Sequence, residues 1–76
     1  MNLETIEDLE KVIKRAIKDR SAVGLLIEMP GFEEPEMITN PVVNLDKKLE
    51  YYKDTYNREL EHKYSKGIRI VGYTLF

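Results

Sequence analysis

With 76 residues, 42% of them hydrophobic and 34% charged, the chain suits one domain (residues 1–76) with a single core and is too apolar to be disordered. It contains no cysteine, which excludes a disulfide framework, a thiolate zinc site and a cysteine nucleophile, and which fits a cytoplasmic protein. The formal net charge of −2 disfavours a general DNA binder, since counterion release rewards a basic surface, and uncharged runs such as Ser21–Ile27 are too short to cross a membrane.

The first predicted element is a helix that ends near Asp19 or Arg20. Its apolar residues recur at the three-and-four spacing of one helical face, and they are Leu3, Ile6, Leu9, Val12, Ile13, Ala16 and Ile17. Either Asn2 or Thr5 is suited to cap this helix, and Asp8 is a capping-box partner for Thr5.

Two strands joined by an acidic turn are predicted next. The segment Ala22–Met29 is short and nearly continuously apolar, which is typical of a central strand or of one covered on both faces. Gly24 within it indicates a close approach or a bulge. After the Pro-Gly turn, Glu36–Thr39 is expected to return as a short second strand, which Asn40-Pro41 ends because proline cannot donate to a ladder.

A second helix is predicted from Leu45 to Tyr64, followed by a final strand. Asn44 is suited to cap the helix, and its apolar stripe consists of Leu45, Leu49, Tyr52, Tyr56 and Leu60. Gly67 supplies a stop signal, because glycine readily adopts a left-handed backbone. The last strand, Ile68–Phe76, is rich in β-branched and aromatic residues.

These elements predict an α+β fold, a two-layer sandwich in the order α-β-β-α-β. The hairpin reverses the chain and the second helix carries it back, so the last strand runs antiparallel to the first. A three-stranded, mostly antiparallel sheet of order 2-1-3 satisfies these directions, with both helices packed on one of its faces. In this arrangement the last strand is expected to be an open sheet edge.

The sequence holds no catalytic, phosphate-binding or zinc-binding pattern. The single histidine, His62, lies off the apolar stripe with no nucleophile nearby and is expected to be an ordinary surface residue. The glutamates around the turn match no ion-binding loop and indicate a solvated hairpin tip. We therefore expect no enzymatic activity, no cofactor and no metal site, and a small hydrolase or nuclease built on these glutamates is a third alternative.

Two surfaces are candidate protein interfaces, and their residues are Phe32, Glu33, Glu34, Tyr51, Thr55 and Arg58. At the acidic turn, Phe32 either folds back onto the sheet, which the usual burial of phenylalanine favours, or stands out as a contact anchor. On the second helix, Tyr51 lies off the core stripe beside Thr55 and Arg58, and tyrosine is enriched at protein interfaces.

The alternative is nucleic-acid binding through a basic strip along the first helix. The strip consists of Lys11, Lys14, Arg15 and Lys18. Glu7, Glu10 and Asp19 flank these residues, so a solvated helix face is the competing interpretation. If the strip binds nucleic acid, the affinity should fall steeply as the salt concentration rises.

Four stretches of the chain resemble a known group of proteins, and these stretches are Ile27–Phe32, Ile38–Pro41, Leu45–Tyr52 and Gly67–Tyr73. They are similar to small phage- and prophage-encoded proteins of Gram-positive bacteria (Firmicutes). That group has no assigned activity, so the resemblance implies a setting, the cytoplasm of a bacterial host during infection or lysogeny, and no site.

The sequence thus predicts a non-catalytic phage accessory protein that acts as a protein-interaction module. The expected partner is a host or phage protein, with homodimer formation as a further expectation and no membrane association. The alternative function is that of a nucleic-acid-binding accessory protein in phage DNA metabolism.

Overall fold

A computed structural model describes residues 2–76 of the protein, which form two helices and a three-stranded antiparallel sheet. The elements in chain order are α1 (Ile6–Asp19), β1 (Val23–Glu28), β2 (Glu36–Asn40), a 3-10 turn (Val42–Asn44), α2 (Leu45–Thr55) and β3 (Arg69–Leu75). The strand order is β2-β1-β3, with β1 antiparallel to both neighbours. The predicted α+β fold and the 2-1-3 sheet are confirmed.

Helix α1 begins at a capping box, as the sequence predicts. The Thr5 Oγ1 accepts a hydrogen bond from the Asp8 N–H at 3.2 Å, and the Asp8 carboxylate accepts one from the Thr5 N–H at 3.2 Å. At the other end, Arg20 turns into the left-handed region with φ 56, and the Ser21 N–H donates to the Ala16 carbonyl at 2.8 Å. These contacts satisfy backbone groups that a helix leaves free at its ends.

A single hydrophobic core joins both helices to one face of the sheet. Its buried members from the helices, the strands and the loop after α2 include Leu9, Ile13, Ala16, Val23, Leu25, Ile27, Leu45, Tyr52, Tyr56, Leu60 and Ile70. Because side chains alternate along a strand, Gly24 and Leu26 face the opposite side of the sheet. Strand β1 is therefore central, as predicted, but helices cover only one of its faces.

Helix α2 ends at Thr55, and the prediction that it continues to Tyr64 is wrong. Tyr56 is extended (φ −112, ψ 145), and the Asn57 Oδ1 accepts hydrogen bonds from the Glu59 N–H at 3.1 Å and the Glu61 N–H at 2.9 Å. An asparagine side chain that binds nearby backbone N–H groups competes with helical hydrogen bonding. Tyr56 and Leu60 still reach the core, but Leu60 does so from a left-handed backbone with φ 65.

Two phenols of the core, Tyr52 and Tyr56, resist ionisation. Burial raises the pKa of Tyr56 to about 12, because the phenolate would lose its hydration in the core. Burial likewise raises the pKa of Tyr52, and its hydrogen bond to Asn40 offsets part of that rise. The folded chain therefore holds these protons more tightly than the unfolded chain does.

We expect the free energy of unfolding to fall as the pH rises from about 10 to about 12. A raised folded-state pKa means that the stabilisation is fully present below pH 10 and is lost as the pH passes through the folded-state value. Urea unfolding followed by circular dichroism at several alkaline pH values measures this loss. In Tyr56→Phe the loss should be smaller, and an equal loss in both proteins would contradict the assignment.

Neither of the two helices in residues 2–76 has the length and apolar character needed to cross a bilayer.

Candidate protein-interaction surface

The sheet face opposite the helices carries exposed apolar side chains. A Cβ built at Gly24 would lie 2.9 Å from Phe76 Cε2 and 3.0 Å from Met37 Sδ, so both side chains pack over the glycine. This is the close approach that Gly24 indicated in the sequence. Met37 is 47% exposed and Phe76 63% exposed, and Leu26 beside them is half-buried. We call Gly24, Leu26, Met37 and Phe76 the open-face patch.

Strand β2 is the exposed edge of the sheet. Its residues Glu36 to Thr39 are all exposed, and only Asn40 is buried. Met37 and Ile38, both large and apolar, are among them. In residues 2–76 no isolated bridge and no loop backbone group pairs with the outer side of this strand. An uncovered strand edge offers unpaired N–H and C=O groups to another chain.

Strand β3, in contrast, is covered along the part from Arg69 to Gly72. The Leu3 N–H donates to the Val71 carbonyl at 3.2 Å, and the Ile70 N–H donates to the Leu60 carbonyl at 3.0 Å. Isolated bridges join Asn2 to Gly72 and Glu61 to Arg69. The expectation that the last strand is the open edge is therefore wrong for this part, because residues distant in sequence pair with it.

Phe32 stands out into solvent, and the interpretation that it folds back onto the sheet is wrong. It is 57% exposed, and its N–H donates to the Met29 carbonyl at 3.2 Å to close the turn. All residues from 30 to 39 are exposed, so Phe32 belongs to a segment that lies outside the core. Glu33 and Glu34 follow it, and Pro35 connects them to β2. The acidic turn and the β2 edge are thus continuous along the chain.

The second predicted surface does not form as expected, because α2 ends before Arg58. Tyr51 is exposed, with Lys48 Nζ 5.4 Å from its ring centroid, and Thr55 is half-buried in the last turn of the helix. Arg58 lies in the following loop, where its Nε is 3.4 Å from Glu7 Oε1 at the start of α1. Tyr51 and Arg58 therefore lie in different surroundings. In residues 2–76, no hydrogen bond or aromatic contact joins either residue to Phe32.

The basic strip on α1 is exposed but partly neutralised. Lys14 Nζ lies 3.1 Å from Glu10 Oε2, and Arg15 Nε lies 3.5 Å from Asp19 Oδ2. The hydrogen bond and the positive charge of Lys14, with a further contribution from Lys53, lower the pKa of Glu10. Among the ion pairs of residues 2–76, Lys11 and Lys18 take no part. The strip is therefore a mixed surface in which acidic residues oppose half of the cations.

His62 is a structural acceptor in the loop after α2. Its Nδ1 accepts hydrogen bonds from the Tyr64 N–H at 3.1 Å and the Ser65 N–H at 3.0 Å, and its ring meets Tyr56 edge-on at 5.1 Å. It borders an open groove of about 610 Å³ that Glu28, Glu61 and Arg69 also line. No cluster of three or more His, Cys, Asp or Glu suited to a metal occurs in residues 2–76. The half-buried histidine thus differs from the ordinary surface residue expected.

We expect His62→Ala to lower the free energy of unfolding by about 1–2 kcal/mol, since the turn loses the acceptor of two N–H groups. His62→Asn should cost less, because its side-chain oxygen can replace Nδ1 as the acceptor. Urea unfolding of the three proteins compares these costs. Equal destabilisation by Ala and Asn would show that the acceptor atom is unimportant.

A scan against protein-family models, a search of curated proteins and a search of solved structures each found no match to this chain.

The sequence patterns considered above did not predict the open-face patch. The alternation Gly72, Thr74, Phe76 in the last strand is the signal that places Phe76 on the same face as Gly24.

Proposed function

We propose that the protein is a non-catalytic protein-interaction module that uses the β2 edge and the adjoining open-face patch. The observation that carries this proposal is a sheet covered on one face only, with Met37, Ile38 and Phe76 exposed at its uncovered edge and face. Large apolar side chains exposed together at the edge and face of a sheet are typical of a site of protein contact. Phe32 extends the same exposed region through the acidic turn that leads into β2.

The chemistry of this surface suits a protein better than a nucleic acid. A protein strand can satisfy the free backbone groups of β2 while its side chains cover Met37 and Phe76. Nucleic acid would require a continuous basic face, whereas acidic neighbours pair with Lys14 and Arg15 on α1. The resemblance to phage- and prophage-encoded proteins supports a partner in a bacterial host cell, either a host protein or a phage protein.

A photo-crosslinking amino acid in place of Phe76 tests the proposal. In a bacterial lysate we expect discrete crosslinked protein bands, because an interface residue contacts a defined partner. The matched control carries the same photo-crosslinker at Val43, which is 78% exposed and lies outside the patch. Equal labelling from both positions, or no labelling from position 76, would contradict the proposal.

The same surface can be removed with little effect on the fold. Met37→Gln and Phe76→Ser change exposed side chains, so together they should alter the free energy of unfolding by about 1 kcal/mol or less. Crosslinking from Phe32 should be lost in this double variant.

Fluorescence anisotropy with single- and double-stranded oligonucleotides at low salt tests the alternative function, nucleic-acid binding. Salt-sensitive binding that Lys11→Glu and Lys18→Glu abolish would favour nucleic-acid recognition.

A further inference from the structure

Backbone contacts determine which groups of β2 point toward the free edge. The Asn40 Nδ2 donates to the carbonyls of Val23 and Ile38 at 3.2 Å each, so both carbonyls lie at the gap between β1 and β2. On the other side of β1, the Phe76 N–H donates to the Ala22 carbonyl at 3.0 Å. Because backbone groups alternate sides along a strand, the N–H and C=O groups of Met37 and Thr39 point outward.

Two prolines bracket this outward-pointing set. Pro35 immediately precedes β2 and Pro41 immediately follows it. Pro35 lies two residues before Met37 and Pro41 two residues after Thr39, so the backbone groups of both prolines also point outward. Pro41 continues the extended backbone with φ −68 and ψ 153. Proline has no N–H to donate, so the free edge offers hydrogen-bond donors only at Met37 and Thr39.

We propose, building on the proposed function, that the partner of the β2 edge is a second copy of this chain, paired antiparallel about a two-fold axis at Ile38. In this register Met37 faces Thr39 of the second copy, and each of their outward N–H and C=O groups gains a partner. Pro35 faces Pro41 of the second copy, so the positions without a donor oppose each other. A strand of this chain is therefore complementary to itself.

Other registers match less well. A shift to the next permitted antiparallel register places a proline opposite Met37 or Thr39. The carbonyl of that residue then has no donor from the facing strand. The two prolines thus select the register centred on Ile38.

The side chains agree with the same register. Ile38, which is 42% exposed, packs beside Ile38 of the second copy on the face that bears the helices. Met37 lies beside Thr39 of the second copy on the other face, which extends the open-face patch across the axis. Glu36 faces Asn40 of the second copy, so no like charges oppose each other along the pair.

Analytical ultracentrifugation across a range from about 5 μM to about 1 mM tests the pairing. The contact is a short strand pair at the low end of interface sizes, so we expect a concentration-dependent monomer–dimer equilibrium. Thr39→Pro removes an outward donor without removing a bond to β1 and should abolish the dimer. Thr39→Val keeps the N–H and should retain it, and circular dichroism confirms that both variants fold. A wild-type monomer at the highest concentration, or a dimer that persists in Thr39→Pro, would overturn the proposal.

Charge substitution at the axis tests the register. Ile38→Lys and Ile38→Glu each place like charges side by side at the axis, so each variant alone should be monomeric. A mixture of the two should restore the dimer, which only a pairing centred on Ile38 predicts, and a mixture that stays monomeric would refute that register. If the self-pairing is wrong but the proposed function is right, a photo-crosslinker at position 76 should still label another protein in Thr39→Pro. If the proposed function is wrong, that labelling should be absent. The two failures can therefore be told apart.

Discussion

Leu60→Ala is expected to lower the free energy of unfolding by about 3 kcal/mol, and Leu60→Gly by about 1 kcal/mol less than that. Leu60 is completely buried, so truncation leaves a cavity in the core. Its backbone nevertheless has φ 65, a conformation that costs residues with a Cβ about 1–2 kcal/mol and that glycine adopts freely. Removing the Cβ should therefore restore part of the free energy of unfolding that is lost when the cavity forms.

The matched position for this comparison is Leu9, which is equally buried but lies within helix α1. There Leu9→Gly should be less stable than Leu9→Ala by about 1 kcal/mol, because glycine is unfavourable in a helix. Urea unfolding in a stabilising osmolyte is the suitable measurement, since a chain of this size has only about 3–5 kcal/mol to lose. A glycine variant less stable than the alanine variant at both positions would refute the role of the backbone at Leu60.

Asn40→Ala should be nearly as damaging, with a loss of about 2–3 kcal/mol. The side chain is buried, and its amide joins three elements: Nδ2 donates to Val23 of β1 and to Ile38 of β2, while Oδ1 accepts from the Tyr52 O–H of α2 at 2.9 Å. The alanine variant leaves a buried hydroxyl and strand carbonyls without this partner, and an unmade hydrogen bond in the core carries the desolvation cost of each group.

A double-mutant cycle isolates the contact between Asn40 and Tyr52. Tyr52→Phe should cost about 1–1.5 kcal/mol, because the Asn40 oxygen loses its donor. The double variant should cost about 1 kcal/mol less than the sum of the single variants, since the second change removes a contact that the first has already broken. Strictly additive losses, measured by urea unfolding, would show that the two side chains do not interact energetically.

Local sequence patterns were enough to predict most of the fold. The apolar spacing and the Thr5–Asp8 capping box identified α1, and the proline and glycine turns separated the strands. The strand order followed from one hairpin and one helical crossover, because these fix the direction of each strand. All of these signals lie close together in the chain, which is why one sequence sufficed.

The end of α2 was harder to predict because its apolar stripe continues beyond the helix. Tyr52, Tyr56 and Leu60 keep the helical spacing, and all three are buried, yet the backbone leaves the helix at Tyr56. The spacing of apolar residues predicts which side chains are buried, but it does not predict the backbone conformation that places them in the core. The available signal was Asn57, whose side chain competes for backbone N–H groups.

The candidate site was the least predictable part, because strand edges depend on distant contacts. The pairing of Leu3 with Val71 and of Leu60 with Ile70 covers part of β3, and no local pattern contains that information. The exposure of Phe32 likewise depends on where the core lies relative to the turn. The symmetric placement of Pro35 and Pro41 around β2 was visible in the sequence, but its meaning required the direction of the strand's backbone groups.

The cover on β3 has a consequence for how far an assembly of this protein can grow. When two copies join through β2, both ends of the shared sheet are β3 strands. There the Leu3–Val71 and Leu60–Ile70 hydrogen bonds already occupy backbone groups that an incoming strand would need. A strand edge whose backbone groups are already paired cannot take up another strand, whereas an uncovered edge can extend the sheet. The backbone contacts of Leu3 and Leu60 therefore block strand addition along Arg69–Gly72, and among residues 2–76 no such contact covers Tyr73–Leu75.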